Sequence, residues 1–256
     1  MSDRFRLDGK VAAVTGGGNG IGRATCLALA GGGAAVMVID RDTAAAAETA
    51  ATIRTAGGRS RAHTADVSHE IAIDALFAAI VADEGRIDIL VNNAGTALRK
   101  PATEVPLAEW NKVVALNMTG VFLCSRVAAR HMIAAGSGGA IVNTASIMGL
   151  SGGGLYPNIS YQTTKGALIN MTRALAVEWA PYRIRVNAVA PTYVRTNFIQ
   201  PLLDQPELVA KIEAMTPMRR LAEPEEVADS ILFLTSPAAS MITGHTLPID
   251  GGFLAQ

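Results

Sequence analysis

Short apolar runs, rich in β-branched residues and almost free of polar interruptions, recur along this chain. Each but the last is followed by a longer stretch with helical spacing. The runs occupy residues 11–14, 35–39, 87–91, 140–143, 185–189 and 246–249, with a weaker one at 59–63. A strand without apolar/polar alternation must be covered on both faces, as in parallel sheets flanked by helices. Helical stretches fall between the runs, at 21–30, 43–56, 70–84, 107–135, 161–180 and 225–234, and Pro106 and Pro224 mark two of the starts. The alternation predicts an α/β fold, a doubly wound parallel sheet whose right-handed crossovers put helices on both faces. No Pro-, Gly- or Ser-rich linker divides the chain, so residues 1–256 are expected to form one domain.

Composition narrows the function. Lysine plus arginine is 22 and aspartate plus glutamate is 22, so no basic excess exists to neutralise phosphates, and no nucleic-acid partner is expected. Half the residues are apolar and 17% are charged, which excludes disorder as the main state. Cys26 and Cys124 are far apart and unpaired by motif, which fits a reducing compartment. The four histidines have no metal-ligand spacing, and no metal is expected. The charged start Met1-Ser-Asp-Arg-Phe-Arg has no apolar stretch behind it, and every apolar candidate is interrupted by Asp, Arg or Glu before about 18 residues. The expectation is a cytoplasmic protein with no membrane contact.

The chemistry-bearing residues cluster where strands end. The first strand runs into Thr15-Gly16-Gly17-Gly18-Asn19-Gly20-Ile21-Gly22, and a helix follows. Glycines there let the backbone approach a pyrophosphate, and the helix start supplies N–H groups and a positive dipole end. A plain strand-to-helix turn is the simpler use of the same residues. Asp40 closes the second strand, placed to accept hydrogen bonds from a ribose diol and to repel a 2′-phosphate; a helix cap or a pair with Arg41 is its plainer use. Asp66-Val67 and Asn92-Asn93-Ala94-Gly95 follow the next strands. Tyr161 and Lys165, at i and i+4, share a helix face, where an ammonium beside a phenol favours the phenolate. Ser146 stands at a strand end, and Asn117 stands mid-helix, where asparagine is a poor choice without a hydrogen bond to make. Each of these alone has an ordinary structural use.

Taken in order, the pieces resemble the single-domain short-chain dehydrogenase/reductase family over essentially the whole chain. They are Thr15-Gly16 to Gly22, Asp66-Val67, Asn92 to Gly95, Asn117, Ser146, Tyr161 with Lys165, Pro191 to Thr196, and Asp250-Gly251-Gly252. The resemblance implies a Rossmann-type sheet of seven parallel strands and a nicotinamide cofactor, here NAD. It implies hydride transfer at a carbon bearing oxygen, with a catalytic tetrad on Asn117, Ser146, Tyr161 and Lys165. Tyr161 takes the hydroxyl proton, Ser146 orients the substrate oxygen, Lys165 lowers the tyrosine pKa and holds the nicotinamide ribose, and Asn117 positions a water. The implied cofactor site is Gly16, Asn19, Gly20, Ile21, Asp40, Arg41, Asp66, Val67, Asn93, Gly95, Tyr161, Lys165, Pro191, Val194 and Thr196.

Two departures stand out. Thr192 follows Pro191 where the family has glycine, and Ser146 and Tyr161 are 15 positions apart, with a glycine-rich stretch, 151–158, between them. Ser151 and Ser160 are the alternative serines. Arg99, in Thr96-Ala97-Leu98-Arg99-Lys100, offers a bidentate fork for a carboxylate, and Asn158 with Tyr156 offers polar contacts. With Ser146 these form the expected substrate site, unless Arg99 and Lys100 are solvated surface charges. The segments are similar to those of gluconate 5-dehydrogenase-like and polyol dehydrogenase-like members. The expected substrate is therefore a small polyhydroxylated molecule, a sugar acid or polyol, interconverted between secondary alcohol and ketone. A 3-oxoacyl carrier reductase and a non-catalytic nucleotide-binding protein are the alternatives. Apolar residues on the helices 107–135 and 161–180, namely Val113, Val121, Phe122, Leu168, Met171 and Trp179, exceed what one sheet contact needs and point to an interface; the family resemblance implies a homotetramer.

Overall fold

The computed structural model describes residues 3–256. Seven strands form one sheet: β1 Val11–Thr15, β2 Ala35–Asp40, β3 Ser60–Thr64, β4 Ile89–Asn92, β5 Gly139–Thr144, β6 Ile184–Pro191 and β7 Thr246–Ile249. Their order is β3-β2-β1-β4-β5-β6-β7, and every pairing is parallel. The order turns back between β1 and β4, so the loops after these strands open a crevice at their C-terminal ends.

The absence of alternation in the strands has the physical cause the sequence pointed to. Val11 and Ala13 of β1 join Met37, Phe77, Leu90, Met132 and Trp179 in one core. Ala12 and Val14, on the other side of the same strand, join Cys26, Leu29, Val38, Val142 and Ile231 in a second. The helices are α1 Gly20–Gly31, α2 Thr43–Thr55, α3 Glu70–Glu84, α4 Leu107–Val114, α5 Val121–Ala134, α6 Ile159–Trp179, α7 Gln200–Leu203, α8 Pro206–Met215 and α9 Pro224–Thr235. α1, α2 and α9 cover one face, and α3, α5 and α6 cover the other. Local signals set their ends. Asp42 caps α2 by accepting from the Ala44 and Ala45 N–H groups at 3.0 and 3.1 Å, a contact typically worth about 1 kcal/mol. Glu223 and Glu226 form a reciprocal capping box at the start of α9, with Pro224 in its first turn.

Three points differ from the sequence reading. The helix expected at 107–135 is interrupted by a π-helical turn, Ala115–Gly120, centred on Asn117. α7 and α8 were not foreseen. The combined helix Leu107–Ala134 is apolar enough by length and composition to cross a membrane although Lys112, Arg126 and Arg130 interrupt it, and 56% of its most apolar window is buried in the body. Finally, Val113, Val121, Leu168 and Trp179 are buried within this chain, so they are not available for an interface. They pack against the sheet and between α4, α5 and α6, while Phe122, Ile133 and Val177 remain exposed on α5 and α6.

Candidate active site

The loops after β1 to β6 enclose a cleft of about 720 Å³, the size of a ligand pocket. At its β1 end the backbone turns at Gly16, whose φ of +63° is costly for a residue with a side chain. A Cβ there would also stand 2.9 Å from the Ala94 Cα, and a Cβ on Gly22 would run into the Gly16 carbonyl oxygen. The first turn of α1 can therefore close directly onto the strand end. Asn19, at the N-cap, makes no capping hydrogen bond, which leaves the first N–H groups of α1 for an anion beside Gly20 and Ile21. These features fit a pyrophosphate.

At the end of β2 the Asp40 carboxylate is fixed by backbone rather than by Arg41: it accepts from Gly18 N–H and Asp42 N–H, both at 3.0 Å. Asp40 lines the cleft, where Arg41 is an exposed neighbour. Asp66 accepts from the Ser68 hydroxyl at 2.7 Å and from the Ser68 N–H at 2.9 Å, and these bonds hold its carboxyl below the usual range. Val67 is buried beside it, and both line the cleft.

The β4 end is held by a polar ladder through the core. Asn92 donates to Ser125 and to Asn143, each at 2.9 Å, and Asn143 donates to Thr172 at 2.9 Å. The Asn93 side chain donates to the Gly16 carbonyl at 3.1 Å, tying the two strand ends together. Gly95 lies against Asn117 and Lys165. Asn117 is fully buried, and its amide serves the protein on every side. Its Oδ1 accepts from Thr96 N–H at 2.8 Å, and its Nδ2 donates to the Thr96 carbonyl at 2.8 Å and to the Thr164 hydroxyl at 3.3 Å. It does not line the cleft, unlike every other expected site residue. Both amide donors are taken up by Thr96 and Thr164.

Ser146 caps the short turn Ile147–Gly149, accepting from the Met148 N–H at 3.1 Å, so the plain capping use is real. It also lines the cleft with Tyr161. Burial pushes the Tyr161 phenol above its usual pKa, and the Ser146 hydroxyl beside it partly opposes that rise. Lys165 stands one turn further along α6. Its ammonium reaches past the phenol and donates to the Thr144 carbonyl at 2.5 Å, lying 5.5 Å from the Tyr161 ring centre. Burial lowers the Lys165 pKa to about 8. Ser151 is half-buried in its loop and Ser160 is buried, and neither lines the cleft as Ser146 does.

Beyond β6, Pro191, Val194 and Thr196 line the cleft. Thr192 does not need the freedom of glycine: among the described residues only Arg183 and Arg219 have positive φ without being glycine. The outer end of the cleft is aromatic. Arg99 stacks over the Tyr156 ring at 5.0 Å and donates to the Phe198 carbonyl at 3.4 Å, while Phe198 lies 6.2 Å from the Tyr161 ring. Tyr193, which the sequence reading missed, is buried here, and burial raises its pKa to about 12. Its place just after β6 was the available signal. It packs with Ile147, Met148 and residues of α7 and α8 in a separate apolar cluster at this end.

Comparison with known proteins agrees with this geometry. A family model described as enoyl-(acyl carrier protein) reductase matches residues 16–254. Galactitol 2-dehydrogenase (L-tagatose-forming) of Cereibacter sphaeroides is 45% identical over 249 residues, covering 97% of this chain and 96% of the relative. The crystal structure of a short-chain type dehydrogenase/reductase from Mycobacterium marinum superposes with a TM-score of 0.96 at 38% identity, covering 99% of both chains. A gluconate 5-dehydrogenase from Burkholderia cenocepacia J2315, solved with NADP and tartrate, gives a TM-score of 0.94 at 35% identity, covering 99% of this chain and 98% of that one.

Proposed function

The chain belongs to the short-chain dehydrogenase/reductase family, and from that membership we propose that it interconverts a secondary alcohol and a ketone on a polyol or sugar acid, using NAD. The whole chain, residues 1–256, acts as one dinucleotide-binding and catalytic domain. The observation that carries this is the meeting of Ser146 and Tyr161, with Lys165 one turn behind, on the wall of a cleft whose other end is the glycine turn and Asp40. The relatives named above act on galactitol and on gluconate, which supports the polyhydroxylated class.

Gly16, Asn19, Gly20, Ile21 and the α1 start would hold the pyrophosphate. Asp40 would hold the adenosine ribose, with Asp66 and Val67 beside it. Asn93, Gly95, Pro191, Val194, Thr196 and Lys165 would hold the nicotinamide half. The bound nicotinamide supplies the hydride acceptor, or the donor in the reverse direction. Tyr161 exchanges a proton with the substrate oxygen at its phenol oxygen, and Ser146 donates to that same oxygen. Lys165 is anchored on Thr144 and brings positive charge behind the phenol. Asn117 acts as a positioning residue that clamps Thr96 and hence the loop carrying Arg99.

Asp40 supports NAD over NADP, because its carboxylate, held by the Gly18 and Asp42 N–H groups at the cleft wall, would repel a 2′-phosphate; Arg41 beside it favours NADP. The neutral net charge offers an acidic carrier protein no general attraction. Free thiols at Cys26 and Cys124 support a cytoplasmic location, and the exposed Phe122, Ile133 and Val177 support assembly into a homotetramer. The test is dinucleotide reduction at 340 nm with galactitol, threitol and gluconate, comparing NAD with NADP. Tyr161→Phe should keep the fold and dinucleotide binding and lose about 100-fold or more in turnover. Retention of more than about a tenth of the activity contradicts the role of Tyr161.

A further inference from the structure

Asparagine is among the preferred residues for capping a helix start, because its side-chain oxygen can accept from the first-turn N–H groups. Asn158 occupies that position on α6 and makes no such bond. Its side chain is 7% exposed, and its Oδ1 is shielded from water without any hydrogen-bond partner. A buried acceptor left empty is costly and asks for a donor. The residue lines the cleft, whereas the equally unpartnered Ser160 hydroxyl, two positions on, does not.

The backbone holds Asn158 still. Lys100 N–H donates to the Pro157 carbonyl at 3.1 Å, Lys100 and Asn158 form a parallel bridge, and Gln162 N–H donates to the Asn158 carbonyl at 3.1 Å. Asn158 is the N-cap of the helix whose third residue is Tyr161, and both line the cleft with Ser146. A substrate oxygen at Tyr161 and Ser146 therefore has Asn158 as a neighbour on the same cleft wall. A carboxamide both donates and accepts, which matches a hydroxyl; a plain methylene would leave it unpaired.

We propose that Asn158 is a specificity-determining residue that binds the hydroxyl next to the reacting carbon, so that the enzyme selects vicinal diols over isolated secondary alcohols. This rests on the alcohol–ketone activity proposed above and narrows its substrate class. Three features favour it: a buried carboxamide with an empty acceptor, a fixed backbone, and a place beside the acid–base tyrosine. Arg99, at the exposed outer rim, reads the far end of the substrate instead.

The test compares meso-2,3-butanediol with 2-butanol, which differ by the second hydroxyl. In the wild type, kcat/KM for the diol should exceed that for the mono-alcohol by about tenfold or more. Asn158→Leu should lower that ratio by about tenfold, mainly through KM of the diol, whereas Asn158→Asp, which keeps an acceptor oxygen, should hold it within about threefold. Asn158→Ala carries the same comparison if the leucine variant loses its fold, as judged by its melting temperature. A wild type that does not distinguish the two alcohols, or a ratio unmoved by Asn158→Leu or Asn158→Ala, overturns the assignment and leaves the alcohol–ketone activity standing. Absence of dinucleotide reduction with every polyol and sugar acid overturns both.

Discussion

Leucine at position 117 keeps the γ-branched outline of asparagine, at a larger volume, and removes its amide, so any overpacking adds to the loss. The amide serves Thr96 twice, taking its N–H and giving to its carbonyl at 2.8 Å each, and serves the Thr164 hydroxyl once at 3.3 Å. Thr164 keeps a bond of its own, donating to the Tyr161 carbonyl at 2.9 Å, so its loss is small. Thr96 is half-buried, so part of its lost pairing is recovered from water. Two backbone groups left partly unpaired, at about 1–1.5 kcal/mol each, give an expected loss of about 2–3 kcal/mol. That is a substantial fraction of the roughly 5–15 kcal/mol that holds a domain together. Urea unfolding followed by tryptophan fluorescence measures it as a lower midpoint with an unchanged slope. Because Thr96 begins the loop that carries Arg99, KM for substrate should rise as well. If stability instead moves by less than about 0.5 kcal/mol while turnover collapses, the amide acts on the chemistry and the clamp reasoning is refuted.

Asp40→Ser removes the carboxylate that meets the ribose, and the ratio of kcat/KM for NAD over NADP should fall by about tenfold or more; an unchanged ratio assigns the preference elsewhere. Lys165→Met should abolish turnover and raise the melting temperature at pH 7 by about 2–6 °C, because a lysine buried at a lowered pKa costs stability while charged. The sign extends to pH: with the Lys165 pKa moved from 10.5 to about 8, the unfolded chain binds more protons between those values, so wild-type stability rises there and the gap to Lys165→Met narrows. A variant that melts below the wild type at pH 7 contradicts this. Arg99→Ala should raise KM for gluconate about tenfold and KM for galactitol much less, and equal effects would leave Arg99 only its contact with Tyr156.

The strand and helix order was legible because a strand buried on both faces must read as an apolar run. Val11 to Val14 serve two cores at once, so nothing but apolar residues fits them. The π-helical turn was hidden because the apolar spacing of 107–134 runs through it without a break; only Asn117, a poor helix residue, pointed to it. α7 and α8 were hidden for the opposite reason. They are short, they carry Pro201 and Pro206 in their first turns, and their apolar residues cover the substrate end rather than the sheet. The apolar surplus on the long helices was visible, but its destination was not. Spacing says that Val113 and Trp179 need covering, and only the packing says that this chain covers them itself.

The cleft residues were legible for a related reason: in a parallel sheet the ends of the strands are fixed by topology, so Gly16, Asp40, Asp66, Asn93 and Ser146 had to converge. The electrostatics among them were not. The interval between Tyr161 and Lys165 gives a shared helix face and leaves open where a four-carbon side chain ends. It ends on the Thr144 carbonyl, with the charge behind the phenol rather than on it. Burial then acts on both groups in opposite senses, raising the phenol and lowering the ammonium, so each is pushed toward its neutral form. The Ser146 hydroxyl and the Arg99 charge oppose that rise in the phenol, both supplied by segments distant in sequence. In the free chain burial therefore favours the protonated phenol. Its use as a base for alcohol oxidation depends on what positive charge is brought into the cleft beside it.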